Sequence, residues 1–229
     1  MGTAVAYLRH PEHKAFVLLL PVPFTLATLS VGKPVDATNV LGMSVLFGFT
    51  IAVWALHVRW RVPILPAIAA AAIGYCVIGG SLACLTSTGN VVFGVTAALT
   101  FVGSVGLVRG LPYREEPQHR TPLPLWLKLP VIALVIFGLV SIKKFLGGFM
   151  TMFPMVGVVA AYECRHSLWT NVRKVAWVNV LMTPVMVAMR LTQGRWGMPV
   201  ALAVGWAVLL PGLWLFHTIS QQAFAAEAD

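Results

Sequence analysis

GMSVLFGFTIAVWALHVRW, residues 42–60, decides the fold. From Asn39 to His57 the chain carries no Asp, Glu, Lys or Arg, and Arg59 and Arg61 follow at once. A helix over 39–57 rises about 28 Å, close to the hydrocarbon thickness of a bilayer. That interior offers no hydrogen-bond partner to a bare backbone, so a crossing segment is either a helix or a strand of a closed barrel. The run does not alternate polar with apolar residues, as a barrel strand must. It therefore predicts a membrane helix with a basic end.

The same texture extends outward in both directions. The chain of 229 residues is 59% hydrophobic and 10% charged, with mean hydropathy +0.85. A soluble domain carries about 25% charged residues, and this deficit leaves too little polar surface to face water. The predicted fold class is all-α, a polytopic membrane protein. Eight apolar segments are expected, at 15–31, 39–57, 63–85, 90–108, 126–142, 147–164, 175–191 and 197–217. The fifth and sixth are the weakest pair, so seven spans is the competing count. Residues 1–110 form a first four-helix unit. Residues 111–125 form a polar, proline-bearing cytoplasmic linker, and 126–229 form a second four-helix unit.

A net charge of +9 invites a nucleic-acid reading. The cations stand singly or in pairs between apolar runs and make no basic stripe, so no nucleic-acid partner is expected. They read as topology determinants instead. Arg9, Lys14, Arg59, Arg61, Arg109, Arg114, Arg120, Lys128, Arg165, Arg173 and Lys174 fall on one side. Lys33, Lys143, Lys144, Arg190 and Arg195 fall on the other. This bias predicts a multi-pass protein of the cytoplasmic (inner) membrane with both termini cytoplasmic. Cys76, Cys84 and Cys164 form no CxxC pair, which argues against a metal knuckle or a disulfide framework. The polar N-terminus shows no small-residue cleavage site, so no cleaved signal peptide is expected.

The halves resemble each other at an offset of 109 residues. LLLPV at 18–22 faces LKLPV at 127–131. Residues 42–60 face TMFPMVGVVAAYECRHSLW, 151–169, so that His57 meets His166 and Trp60 meets Trp169. An even number of spans per half predicts two repeats in parallel orientation, with a substrate path between them. His57 and His166 should then sit at the same end of the bundle.

The second half also resembles the short GlpM-type inner-membrane proteins. The pieces are Lys143-Lys144, Gly147-Gly148, Phe153-Pro154, Ala161-Tyr162 and the last run, RWGMPVALAVGWAVLLPGLWLF. The resemblance implies a small multi-span integral membrane protein and little about activity. The first half carries Ser44-Val45 where the second has Phe-Pro, so any site marked by that motif belongs to the second half.

Polar groups inside apolar runs are expensive and are the default site candidates. Lys143 and Lys144, beside the Gly147-Gly148 turn, are candidates for binding an anionic solute. Asn179 is a buried amide and joins them. Glu163 is the candidate proton-coupling carboxylate. His166 lies three residues on, which on a continuous helix shares its face. The competing reading pairs Glu163 with Arg165, Arg173 or Lys174. Pro154 and Pro184 remove helical hydrogen bonds and are candidate kinks or gates. Lys33 and Asp36 read as an ion pair. The small residues of AIAAAAIGYCVIGG, 67–80, predict a close-packing face.

The expected function is a transporter or permease for a small anionic solute, with proton coupling. The alternative is a non-catalytic assembly factor or accessory subunit of a larger membrane complex. The partners are the lipid bilayer, the solute, and either further copies of the chain or a membrane subunit. No HExxH, GxSxG or acidic phosphate motif occurs, so an enzyme is the weakest class, and a lipid-linked substrate at His57, Glu163 and His166 is its only form. His57 and His166 stand at helix ends rather than inside a bundle, so no haem, metal or other cofactor is expected.

Overall fold

The structure is a computed structural model that describes residues 22–85, 89–112, 116, 151 and 155–226. Among these residues the protein is helical, without strands. Helix α1 spans Val22–Val31, and α2 spans Ala37–Trp54 with a wider π-helical turn at Ala55–Arg59. Helix α3 spans Ile64–Leu85, α4 Asn90–Gly110, α5 Met155–Glu163 and α6 Leu168–Ala226. Four stretches are long and apolar enough to cross a membrane: Ala37–Arg59, Ile64–Cys84, Asn90–Gly110 and Leu168–Phe216. Segment 126–142 lies outside the described residues.

The 59 residues of α6 do not run straight. Gly197 has φ 77° and ψ 173°, which ends one helix and starts another. The two arms, 168–196 and 198–226, fold back on each other. The rings of Trp177 and Phe216 lie 5.0 Å apart. A Cβ on Gly212 would sit 3.2 Å from Leu181, and one on Gly205 would sit 3.0 Å from Met189. These pairs are arranged symmetrically about residue 197, as an antiparallel hairpin demands. The portion 198–216 alone rises about 28 Å. Pro184 leaves the backbone helical, and the non-helical torsions in α6 fall at Gly197. The chain reverses at Gly197, where the missing Cβ permits the positive φ.

Helix α2 is the most enclosed of the four candidate spans. Phe49 and Val53, with Val45 and Leu46 beside them, pack against Ile68, Ala71 and Tyr75 of α3. Val40 and Met43 pack on a different face with Phe93 and Ala97 of α4 and with Met182, Met186 and Met189 of α6. Phe47 meets Val172 and Ala176. Consecutive helices α3 and α4 thus flank α2 instead of pairing with each other. The outward faces stay apolar: Leu65, Ile73 and Val77 on α3, and Val91, Leu99 and Val102 on α4, are exposed. A water-soluble bundle buries such residues, whereas lipid accepts them.

The start of α2 explains its register. Asp36 caps it, accepting from the Thr38 N–H at 2.8 Å, while Asn39 Oδ1 accepts from the Asp36 N–H at 2.8 Å. This reciprocal box satisfies donors that the first helical turn leaves open. Asp36 therefore serves the cap and not an ion pair with Lys33. The close-packing face expected on 67–80 is only half used. Ala67 and Ala71 are buried, Ala69 and Ala70 are exposed, and a Cβ on Gly74 or Gly80 would meet nothing. The tight approaches occur at Gly205 and Gly212 instead.

Candidate functional site

One end of the bundle gathers Lys33, Val35, Asn90, Arg190 and Arg195. Val35 is fully buried, and its backbone pairs with the Gln193 amide. Its N–H donates to Gln193 Oε1 at 2.8 Å, and its carbonyl accepts from Gln193 Nε2 at 2.9 Å. Arg190 donates to the same carbonyl and to Asn90 Oδ1, both at 2.9 Å. Its guanidinium also lies over the Phe93 ring, 5.7 Å from the centroid. Nearby, the Asn39 side-chain N–H donates to the Thr151 hydroxyl at 2.7 Å. Two α6 side chains, Arg190 and Gln193, thus tie Val35, in the linker before α2, to the hairpin arm, and Arg190 reaches on to the start of α4.

Asn39, Asn171 and Asn179 are the buried amides among the described residues. Asn179 is 2% exposed, about 16 Å along the arm from Leu168. Its Nδ2 donates to the Met43 carbonyl of α2 at 3.3 Å, and the Thr183 hydroxyl donates to the Asn179 backbone carbonyl at 2.7 Å. The Met43 carbonyl can only accept, so the amide nitrogen must face it and Oδ1 points elsewhere. Among the described residues Oδ1 is buried with no hydrogen-bond partner, and so is the Thr28 hydroxyl on α1. A buried acceptor left open costs about 1–3 kcal/mol. A small void of about 10 Å³ lies between α1 and the hairpin, lined by Phe24, Thr25, Val185, Met189, Leu202, Gly205 and Trp206. It has room for about one water.

The opposite end carries Glu163. Helix α5 stops at this residue, and His166 falls in the turn that follows. The shared helix face expected of the pair does not form, because the helix does not continue. Glu163 is half-buried and His166 exposed. Arg165 lies over the Tyr162 ring, 5.3 Å from its centroid. Helix α6 begins beside them, capped by a residue of the linker: the Glu116 carboxylate accepts from the Trp169 and Thr170 N–H groups at 3.1 and 2.8 Å. The Trp169 indole donates to the Pro112 carbonyl at 2.9 Å and stacks, tilted, 5.0 Å from Trp54. His57 stands at the same end, its Nδ1 2.8 Å from the Val62 carbonyl. That acceptor requires the proton on Nδ1.

Of the site residues singled out from sequence, Asn179, Glu163 and Pro184 are described: Asn179 and Pro184 stand five residues apart on the first hairpin arm, and Glu163 ends α5. Lys143, Lys144, Gly147, Gly148 and Pro154 lie outside the described residues. His57 and His166 do share an end of the bundle. Sequence reasoning missed Gln193, Asn39 and Glu116. Asn39 carried a signal, since Asp-Ala-Thr-Asn reads as a capping box, whereas Gln193 and Glu116 act on partners far away in the chain. Among the described residues no group of His, Cys, Asp and Glu could hold a metal ion. Comparison with protein-family models, curated proteins and solved structures gave no match.

Proposed function

We propose that this chain is a permease of the cytoplasmic membrane for a small anionic solute, built from eight spans with both termini cytoplasmic. The observation that carries this reading is the open acceptor of Asn179, buried between α2 and the hairpin arm. A solute donor that visits Oδ1 would satisfy an acceptor that otherwise costs folding free energy. Oδ1 calls for an N–H or O–H, while Lys33, Arg190 and Arg195 at one mouth favour negative charge. The solute class that meets both demands is a small anion bearing a hydroxyl or amino group. Glu163, at the other end, is the proton-coupling group in this proposal.

The parallel repeat belongs to the same proposal. The offset of 109 carries α3 and α4 onto the two hairpin arms in order and length. Their packing differs, since the arms pair and α3 and α4 do not.

The test is uptake into proteoliposomes of hydroxy and amino acids against their keto counterparts. Faster uptake of the donor-bearing member is expected. Asn179→Leu is expected to lower that uptake at least tenfold without loss of helix content. Uptake that is equal for both members, and unchanged in Asn179→Leu, removes Asn179 from the path. Glu163→Gln is expected to flatten the pH dependence of uptake. A pH profile that matches the parent's ends the coupling role.

The second reading, an accessory subunit, is favoured by the packed interior: a void of about one water is a poor solute site. The GlpM-type resemblance accords with it. It expects no uptake of any solute.

A further inference from the structure

We infer that the turn Arg59-Trp60-Arg61 binds the phosphate of an anionic phospholipid at the end of the bundle where the basic residues collect. This goes beyond transport and requires only that the helices sit in a membrane.

The turn is built, and not merely left over. Helix α2 widens into π geometry at Ala55, and the Trp60 N–H closes it on the Ala55 carbonyl at 3.0 Å. The Val62 N–H then reaches the Leu56 carbonyl at 2.9 Å. Between them Arg61 adopts φ 55°, the left-handed region that glycine enters freely and other residues seldom do. His57 fastens the far side through Nδ1 to the Val62 carbonyl at 2.8 Å. Three hydrogen bonds therefore hold an arginine in a conformation that disfavours it, and held strain of this kind clusters where geometry matters for function.

The outcome is an outward display. Arg59, Trp60 and Arg61 are all exposed, Trp60 at 67%. Guanidinium forks match phosphate oxygens in pairs, and tryptophan settles at the headgroup level. The charge around the turn is complementary to an anionic leaflet. Arg109, Arg165, Arg173 and Lys174 lie at the same end, which Trp169 joins to α2 through Trp54. The described acids there are Glu116, committed to capping α6, and Glu163. A leaflet of negative lipid attracts basic segments of this kind.

The experiment uses the full chain in nanodiscs of phosphatidylcholine and phosphatidylglycerol, with retained lipid counted by native mass spectrometry. The parent protein is expected to retain phosphatidylglycerol at least fivefold over phosphatidylcholine. The double variant Arg59→Gln/Arg61→Gln is expected to lose that preference, and Arg195→Gln, at the other end, to keep it. Arg61→Gly separates charge from folding: it relieves the left-handed strain, so thermal stability is expected to hold or rise while retention falls. His57→Ala removes none of the cations of the turn and is expected to lower retention by loosening it. Inorganic phosphate at millimolar concentration should not displace the lipid. An unchanged preference in the double variant, an equal loss in Arg195→Gln, or displacement by free phosphate overturns the proposal.

Discussion

Gly197 makes the largest structural decision taken by a single residue here. Its φ of 77° with ψ of 173° belongs to a region that is essentially glycine's alone. Gly197→Ala is expected to destabilise the folded protein by about 1–3 kcal/mol, read from denaturant unfolding in micelles. Unchanged stability would mean that the hairpin turns elsewhere. Asn179 works in the opposite sense. Replacing it with leucine removes an unsatisfied acceptor along with the bond to Met43, so stability is expected to change by less than about 1 kcal/mol. The residue was legible in sequence, because an amide within an apolar run must find a partner. The partner was not, since Met43 stands 136 positions away and is reached only after folding.

At the scale of elements, glycines identical in sequence differ sharply in role. A methyl group on Gly205 would stand 3.0 to 3.2 Å from Met189 and Val185, while one on Gly103 would meet nothing. Gly205→Val is expected to destabilise by roughly 1–3 kcal/mol through overpacking. Gly103→Val, facing open space, is expected to leave stability nearly unchanged. Equal effects in the same unfolding assay would refute the packing of the hairpin. The linker acts on α6 in a comparable way. Glu116 supplies the acceptors that the first turn of that helix lacks, and negative charge suits a helix N-terminus. Glu116→Ala is expected to lower stability by about 1 kcal/mol. Apolar run length placed α2, α3 and α4 to within a few residues. It could not place Glu116, because a cap supplied from 53 positions upstream leaves no local trace.

For the whole molecule, charge segregation has a direct check. Arg59, Arg61, Arg109, Arg165, Arg173 and Lys174 collect at one end, and Lys33, Arg190 and Arg195 at the other. With Cys76, Cys84 and Cys164 replaced, single cysteines at positions 33 and 195 are expected to react with an impermeant maleimide added outside intact cells. Single cysteines at 61 and 109 are expected to react only after permeabilisation. The reverse pattern would invert the proposed orientation, and reaction of all four from outside would remove the bilayer reading altogether.

By itself the sequence determined the helical, apolar class of the protein and located α2, α3 and α4. Both follow from composition and run length, since a chain this poor in charge can satisfy its backbone in lipid only by coiling. It also sorted the cations to two ends, because charge at the middle of a bilayer is expensive wherever it occurs. What the tertiary structure decided is which helix lies at the centre and which faces meet. All the candidate spans are apolar on every side, so their sequences rank no face above another, and only shape and a few polar contacts choose. Met43 with Asn179, Val35 with Gln193, and Gly205 under Met189 make that choice.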